Sequence, residues 1–253
     1  KNKENKEPVT LADLEVNNLI IKNIQNKYAN INWGILSEET FNIDSKKGKK
    51  NNWLWVLDPL DGTKDFIQRT GNFAMHLALN YKNKPYLGVV LIPEMDELWI
   101  ANGTKVWCEN KNGIIKNHNL SNAKNFEDMT LVTSRNHSNS KLKNLIKKLG
   151  FKTPLLMGSI GCKIASILRG EADIYISLSL PGKSAPKDWD FAAPEAILKQ
   201  AGGALTTIDN KELIYGKEGY RQEGLIIASH DKKNHERICL DIKNILRSNK
   251  INL

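Results

Sequence analysis

Apolar positions recur every four residues from Ala12 through Val16, Ile20 and Ile24 to Tyr28, which predicts a helix with one apolar face that ends near Asn30. Thr10 stands at its N-cap with Asp13 three residues later, the spacing of a capping box. Ile31 to Leu36 reads as a short strand stopping at Ser37-Glu38-Glu39, and residues 40–52 are a polar, basic loop or flap. The run Trp53 to Leu57 is a buried strand. It halts at Asp58, and Pro59, Leu60, Asp61, Gly62 and Thr63 follow. Residues 72–81 and 85–92 read as paired strands around Lys82-Asn83-Lys84. Residues 97–101 and 105–108 flank Asn102-Gly103, a strong hairpin signal. The first half therefore reads as helices packed on an antiparallel sheet.

The second half alternates. Strands are expected at 129–133, 155–159, 172–177 and 225–229. Between them fall a basic helix over 138–149 closed by Gly150, a helix over 162–169 closed by Gly170, and a helix over 191–200 ended by Gly202-Gly203. An amphipathic helix over 235–248 ends the pattern. Such alternation implies an α/β half. A boundary near 110–128 divides the chain into an N-terminal α+β lobe, 1–118, and a C-terminal α/β lobe, 119–253.

Composition narrows the class only modestly. The 253 residues, 40% hydrophobic and 26% charged, suffice for a sizeable core and match ordinary soluble proteins. No apolar run approaches membrane-spanning length and no signal peptide opens the sequence, so the expectation is a cytoplasmic protein without membrane partners. Cys108, Cys162 and Cys239 are odd in number and widely spaced. They read as core thiols in a reducing compartment. The net charge of +9 admits nucleic-acid binding, yet the lysines are scattered among asparagines and no aromatic residues interleave with them. A solvated surface that steers anionic substrates is the favoured reading, with no nucleic-acid partner.

The acids carry the chemistry. Asp58 and Asp61 flank a proline at a strand end, where two dehydrated carboxylates would raise each other's pKa. A divalent cation removes that cost, and oxygen-only donors suit Mg²⁺. Read alone, the same residues also fit a turn with solvated acids. Glu38 at a strand end, Asp13 at a helix start and Asp190 before Phe191-Ala-Ala lie at element ends, where sites are built. Gly62 and Thr63 offer backbone N–H groups at a helix start, a seat for phosphate.

Asp58-Pro-Leu-Asp-Gly-Thr63, Glu38-Glu39 after a strand, and Trp189-Asp190 before two alanines resemble the metal motifs of the lithium-sensitive, magnesium-dependent phosphomonoesterases. That superfamily holds inositol monophosphatase, fructose-1,6-bisphosphatase and 3'(2'),5'-bisphosphate nucleotidase. The resemblance runs from Pro8 to about Ser229 and implies an α-β-α-β-α layered sandwich. It further implies one metal held by Glu38, Asp58 and the Leu60 carbonyl, and a second held by Asp58, Asp61 and Asp190. A weaker third ion near Glu38 would have Asp13 in its outer shell. Glu38 and Thr63, helped by Asp13, would orient the water that attacks phosphorus in line, with no phosphoenzyme.

Within the superfamily the bisphosphate nucleotidases are the nearer likeness. The tail Lys64-Asp65-Phe66 resembles their version of the motif, and Thr133-Ser-Arg-Asn-His137 and Met157-Gly-Ser-Ile-Gly-Cys-Lys163 resemble two more of their segments. The last has one residue more before its lysine. By that likeness His137, Ser159 and Lys163 contact the nucleotide or its second phosphate, beside Asp61, Gly62, Thr63 and Asp190. The substrate implied is adenosine 3',5'-bisphosphate, possessing a second phosphate that needs a cation away from the metals. An inositol or sugar phosphate is the alternative. Family members carry a helix ahead of the Pro8 segment, and almost nothing precedes it here. A truncated chain, or a dispensable helix whose loss exposes part of the face starting at Ala12, is expected. Asp188 has no role assigned from the sequence, and the assembly is read as monomer or homodimer.

Overall fold

In a computed structural model, residues 9–41, 51–121, 123, 125–136, 139–151, 153–180 and 182–249 are described. Helix α1 (Leu11–Lys27) precedes strands β1 (Gly34–Ser37) and β2 (Trp53–Asp61), a five-residue helix α2 (Thr63–Ile67), and the meander β3 (Ala74–Tyr81), β4 (Lys84–Ile92), β5 (Glu97–Ala101), β6 (Val106–Glu109) and β7 (Ile115–Lys116). These seven strands form one sheet in sequence order. β1 runs parallel to β2, and every later neighbour pairs antiparallel. The tight turns are chemically determined: Lys82 and Asn83 both take positive φ between β3 and β4, as a two-residue hairpin loop requires.

The second half contributes β8 (Leu131–Ser134), α3 (Ser140–Leu149), β9 (Leu155–Met157), α4 (Ile160–Leu168), β10 (Ile174–Ser179), α5 (Asp188–Gln200), β11 (Ala204–Thr207), β12 (Gly224–Ser229) and α6 (His235–Ser248). Its sheet has the order β11-β12-β10-β8-β9. β8 is parallel to β9 and β10, whereas β12 is antiparallel to β10 and β11.

Helices α4 and α5 lie between the sheets, and the main core draws on both, from Val56, Ala78 and Val90 to Tyr175, Leu205 and Ile226. α3 and α6 close the outer face of the second sheet through Leu142, Leu145, Ile238 and Ile242. α1 covers the outer face of the first through Ile24, against Trp55 and Leu79. The layers are thus α-β-α-β-α, as the family likeness implies.

Several details differ from the pattern read along the chain, the first being that β2 runs on through Asp58 to Asp61 rather than halting at Asp58. The buried residues of α1 are Asp13, Asn17 and Ile24, because the end of the helix nearest β1 and β2 carries polar groups inward. Ser37 Oγ donates to Asn17 Oδ1 at 2.6 Å in that buried layer, fixing α1 to the end of β1. α5 begins at Asp188 rather than Phe191, which puts Asp190 inside its first turn. The strands β7 and β11, short and without a distinct alternation, were not signalled.

Candidate active site

Strand β2 sets the floor of the site. Its pairing with β3 holds from Trp53 to Asp58, then shifts register before Asp61. Pro59 has no N–H to give the ladder, so the break falls there and a two-residue alternation no longer relates Asp58 to Asp61. Asp58 is buried, and its Oδ1 accepts the Leu60 N–H at 3.0 Å. Asp190 is drawn to the same place by α5, where its carboxylate accepts the Lys187 N–H at 2.6 Å and caps the helix. Asp58, Asp61 and Asp190 each offer a carboxylate oxygen, all within 4.8 Å of one another. Glu38, whose N–H bonds the Leu57 carbonyl, stands beside this group and shares a side-chain hydrogen bond with Asp58.

The electrostatics follow from that crowding. Burial pushes the Asp58 carboxyl well above the usual carboxylate range, and the charges of Glu38, Asp61 and Asp190 push it further. Acids held this close out of water repel unless a cation stands among them. The donor chemistry is carboxylate only, with the Leu60 carbonyl adjacent, which is the set a hard divalent ion takes. Asp58, Asp61 and Asp190 fit a metal centre.

At the rim, the Thr63 hydroxyl lies 3.1 Å from the Leu60 carbonyl and 3.3 Å from Asp13 Oδ1. Asp13 itself is fixed by Thr10, whose N–H and hydroxyl both donate to Oδ2. Gly62 takes φ +90°, and a Cβ there would stand 3.0 Å from the Asn72 carbonyl and 3.2 Å from the Ser159 nitrogen. The left-handed turn between Asp61 and Thr63 therefore needs glycine.

The model of the inositol monophosphatase family matches residues 1–247. The chain belongs to that family. It is 35% identical over 210 residues to the 3'(2'),5'-bisphosphate nucleotidase CysQ of Buchnera aphidicola, covering 82% of this chain and 74% of that one. It is 31% identical over 230 residues to the protein of the same name from Escherichia coli K12, covering 89% and 87%. Among solved structures, the fold is shared with an IMPase of Thermotoga maritima (TM-score 0.76, 23% identity, 97% and 87% covered). It is shared as well with an inositol monophosphatase from Anabaena (TM-score 0.74, 22% identity, 93% and 87% covered).

On this inositol monophosphatase scaffold, the residues expected to touch the nucleotide are placed differently from the metal set. His137 lies outside the described residues. Ser159 is fully buried as the N-cap of α4, accepting from the Cys162 N–H at 3.2 Å, and its Oγ donates to Asp61 Oδ2 at 2.8 Å. The Ile160 N–H donates to the same oxygen at 2.5 Å. Lys163 is 1% exposed, and its Nζ donates to the Gly158 carbonyl at 2.7 Å. Both residues sit beneath the acids rather than facing outward, because every residue of α4 is buried between the sheets. Burial pushes the Lys163 ammonium below its ordinary value, opposed by the charges of Asp61, Asp190 and Asp65.

Asp188 has a structural task. It is buried, and its carboxylate accepts from the Gly216 N–H and Gln222 Nε2, both at 2.7 Å, holding 214–222 against α5. The task of Asp65 escaped sequence reasoning. Asp65, fully buried, accepts from Thr70 Oγ1 and Asn136 Nδ2 at 2.6 Å and pairs with Arg135, whose Nη2 reaches the Leu156 carbonyl. It ties the end of the motif to the segments ahead of α3 and α4. The signal was its place in the tail after Asp61, where a second acid four residues on has no role in the turn itself.

Proposed function

We propose that this chain is a Mg²⁺-dependent 3'(2'),5'-bisphosphate nucleotidase that hydrolyses the 3'-phosphate of adenosine 3',5'-bisphosphate, acting in the cytoplasm and in sulfur assimilation. The observation that carries the reading is the meeting of Asp58, Asp61 and Asp190 within 4.8 Å, beside Glu38 and the Thr63–Asp13 pair. Two nucleotidases named CysQ, similar over 82% and 89% of the chain, support the substrate.

Each residue then has a task. Asp58, Asp61 and Asp190, with Glu38 and the Leu60 carbonyl, hold two or three Mg²⁺ ions. When bound, the metal supplies charge to activate water and to offset the leaving oxygen. Thr63 has one hydroxyl proton. With that proton directed at Asp13 or the Leu60 carbonyl, its oxygen is left to accept from the attacking water and aim it at phosphorus. Glu38, beside Asp58, receives the water proton. The Gly62 and Thr63 backbone cradles the transferred phosphate. Ser159 and Lys163 act from below, the first by orienting Asp61 and the second by balancing charge. The second phosphate meets cations at the rim, for which Arg135, partly exposed beyond its bond to Asp65, and Lys187, placed over the rings of Phe41 and Trp189, are the candidates.

The deciding experiment is phosphate release with Mg²⁺ from adenosine 3',5'-bisphosphate, inositol 1-phosphate and fructose 1,6-bisphosphate. The nucleotide is expected to exceed the others in kcat/KM by at least about tenfold, the value of one well-placed charged hydrogen bond. Equal or higher values on inositol 1-phosphate would replace the substrate and leave the metal centre standing.

A further inference from the structure

His76 lies on β3, paired with Asp58 across the ladder and wholly buried. Neither ring nitrogen has a partner in good hydrogen-bond geometry, the Trp189 backbone carbonyl being a near acceptor that favours a protonated ring. Its Nε2 stands 3.5 Å from Asp61 Oδ2, just beyond bonding geometry. Leaving two polar nitrogens out of water without well-aligned partners is costly, about 1–3 kcal/mol for each, and such groups persist where a site uses them.

The neighbouring helix is shaped around this ring. Gly161, on the first turn of α4, faces it so closely that a Cβ would come within 2.3 Å of Nε2. Glycine is otherwise poor inside a helix, costing about 1 kcal/mol against alanine. Here it opens the space the imidazole fills. Two elements from different halves of the chain thus agree on seating a histidine against one carboxylate oxygen.

That oxygen already has donors. Asp61 Oδ2 accepts from Ser159 Oγ and the Ile160 N–H, both from the start of α4. A third donor at Nε2 would saturate Oδ2 and leave Oδ1 for a cation. We propose that His76 is a positioning residue of the metal centre, its Nε2–H fixing Asp61 Oδ2 so that the opposite oxygen is presented to the metal. Outer hydrogen bonds of this kind orient metal-binding carboxylates, and losing one costs about 10- to 100-fold in metal affinity or activity. The proposal rests on the metal-centre reading above, and it assigns this histidine a task that is independent of which phosphate ester is cleaved.

The test is calorimetric binding of Mn²⁺ or Mg²⁺ alone, without substrate, to the full chain and to His76→Leu and His76→Gln. Leucine removes the donor, and affinity is expected to fall at least tenfold. Glutamine returns an N–H near the Nε2 position and is expected to recover most of it. Gly161→Ala, which pushes the ring away, should lose affinity with the histidine retained. Affinity of His76→Leu within twofold of the parent would overturn the proposal. If the parent binds both metals but cleaves no nucleotide, the substrate reading fails and this one stands. Should His76→Leu not fold, ¹⁵N spectra of histidine-labelled parent protein, with five histidines to resolve, decide the matter. A protonated Nε2 on His76 whose resonance shifts on adding Mg²⁺ supports the proposal, and an unprotonated Nε2 overturns it.

Discussion

The Thr63 hydroxyl lies 3.3 Å from the Asp13 carboxylate, across 50 residues of chain. Asp13 caps α1 and Thr63 opens α2, so one hydrogen bond joins two helix starts above the acid cluster. The arrangement gives a hydroxyl whose proton is committed and whose oxygen can receive a water.

Thr63→Ala and Asp13→Asn are therefore expected to lower kcat by roughly 100-fold, the scale of positioned proton handling, with little change in Mg²⁺ affinity. Initial rates over a range of Mg²⁺ separate the two effects. A fall in metal affinity with kcat intact would move this pair from water to metal.

Asp61→Asn should remove nearly all Mg²⁺-dependent turnover, roughly 1000-fold or about 4 kcal/mol of transition-state stabilisation. The same change takes away one of the charges that raise the Asp58 carboxyl. Metal-free protein is then expected to melt at a higher temperature than the parent, while losing the rise that Mg²⁺ gives. Differential scanning calorimetry with and without Mg²⁺ reads both.

Lys163→Met removes a charge that is 1% exposed and bonded to the Gly158 carbonyl. Activity on the bisphosphate and on a simple monophosphate ester should fall by the same factor, with the preference between them unchanged. A loss confined to the bisphosphate would show Nζ reaching the second phosphate directly.

Asp65→Asn breaks a fully buried carboxylate's pairing with Arg135. Arg135 keeps access to solvent, so the cost is expected near 2 kcal/mol, that of a charged hydrogen bond, well short of a sealed ion pair. KM for the bisphosphate should rise more than KM for a monophosphate, since Arg135 loses its anchor. Urea unfolding and paired substrate kinetics check the two parts.

Burial lowers the His235 imidazole from 6.5 to about 4, where Ser229 Oγ and Thr206 Oγ1 sit 2.7 Å from its two nitrogens. Above pH 6.5 the ring is neutral folded and unfolded, and its contribution to stability is complete. Between pH 6.5 and about 4 the unfolded chain takes a proton that the folded chain refuses, and stability falls. The whole loss is on the order of 3 kcal/mol. Unfolding free energies across that range should decline less steeply in His235→Gln than in the parent, and parallel slopes would contradict the assignment.

Most of the acid cluster was legible along the chain. Asp61 ends β2, Glu38 follows β1 and Asp190 lies in the first turn of α5, and the residue types around them and Asp58 are distinctive. The helix and strand periods likewise gave the order of helices and strands, because a period of two or of about four is a local property of the backbone, whereas the layered architecture was implied by the family likeness. Asp13 and Thr63 were nameable for the same reason, each standing at a helix start.

What the tertiary structure decided is which way the other polar groups face. The lysine of α4 reads as a cation at a helix start, a candidate for the substrate's second phosphate. It is buried because both sides of that helix are covered by sheets, a fact of packing with no mark in the local pattern. His76 reads as one more residue in a strand, and only the approach of Gly161 from α4 shows why an imidazole stands there. Asp65 gains its partners Arg135 and Asn136 from a segment 70 and 71 residues away. Burial and long-range pairing are set by how elements stack, and a sequence period carries the inward face of one element but not the identity of what meets it.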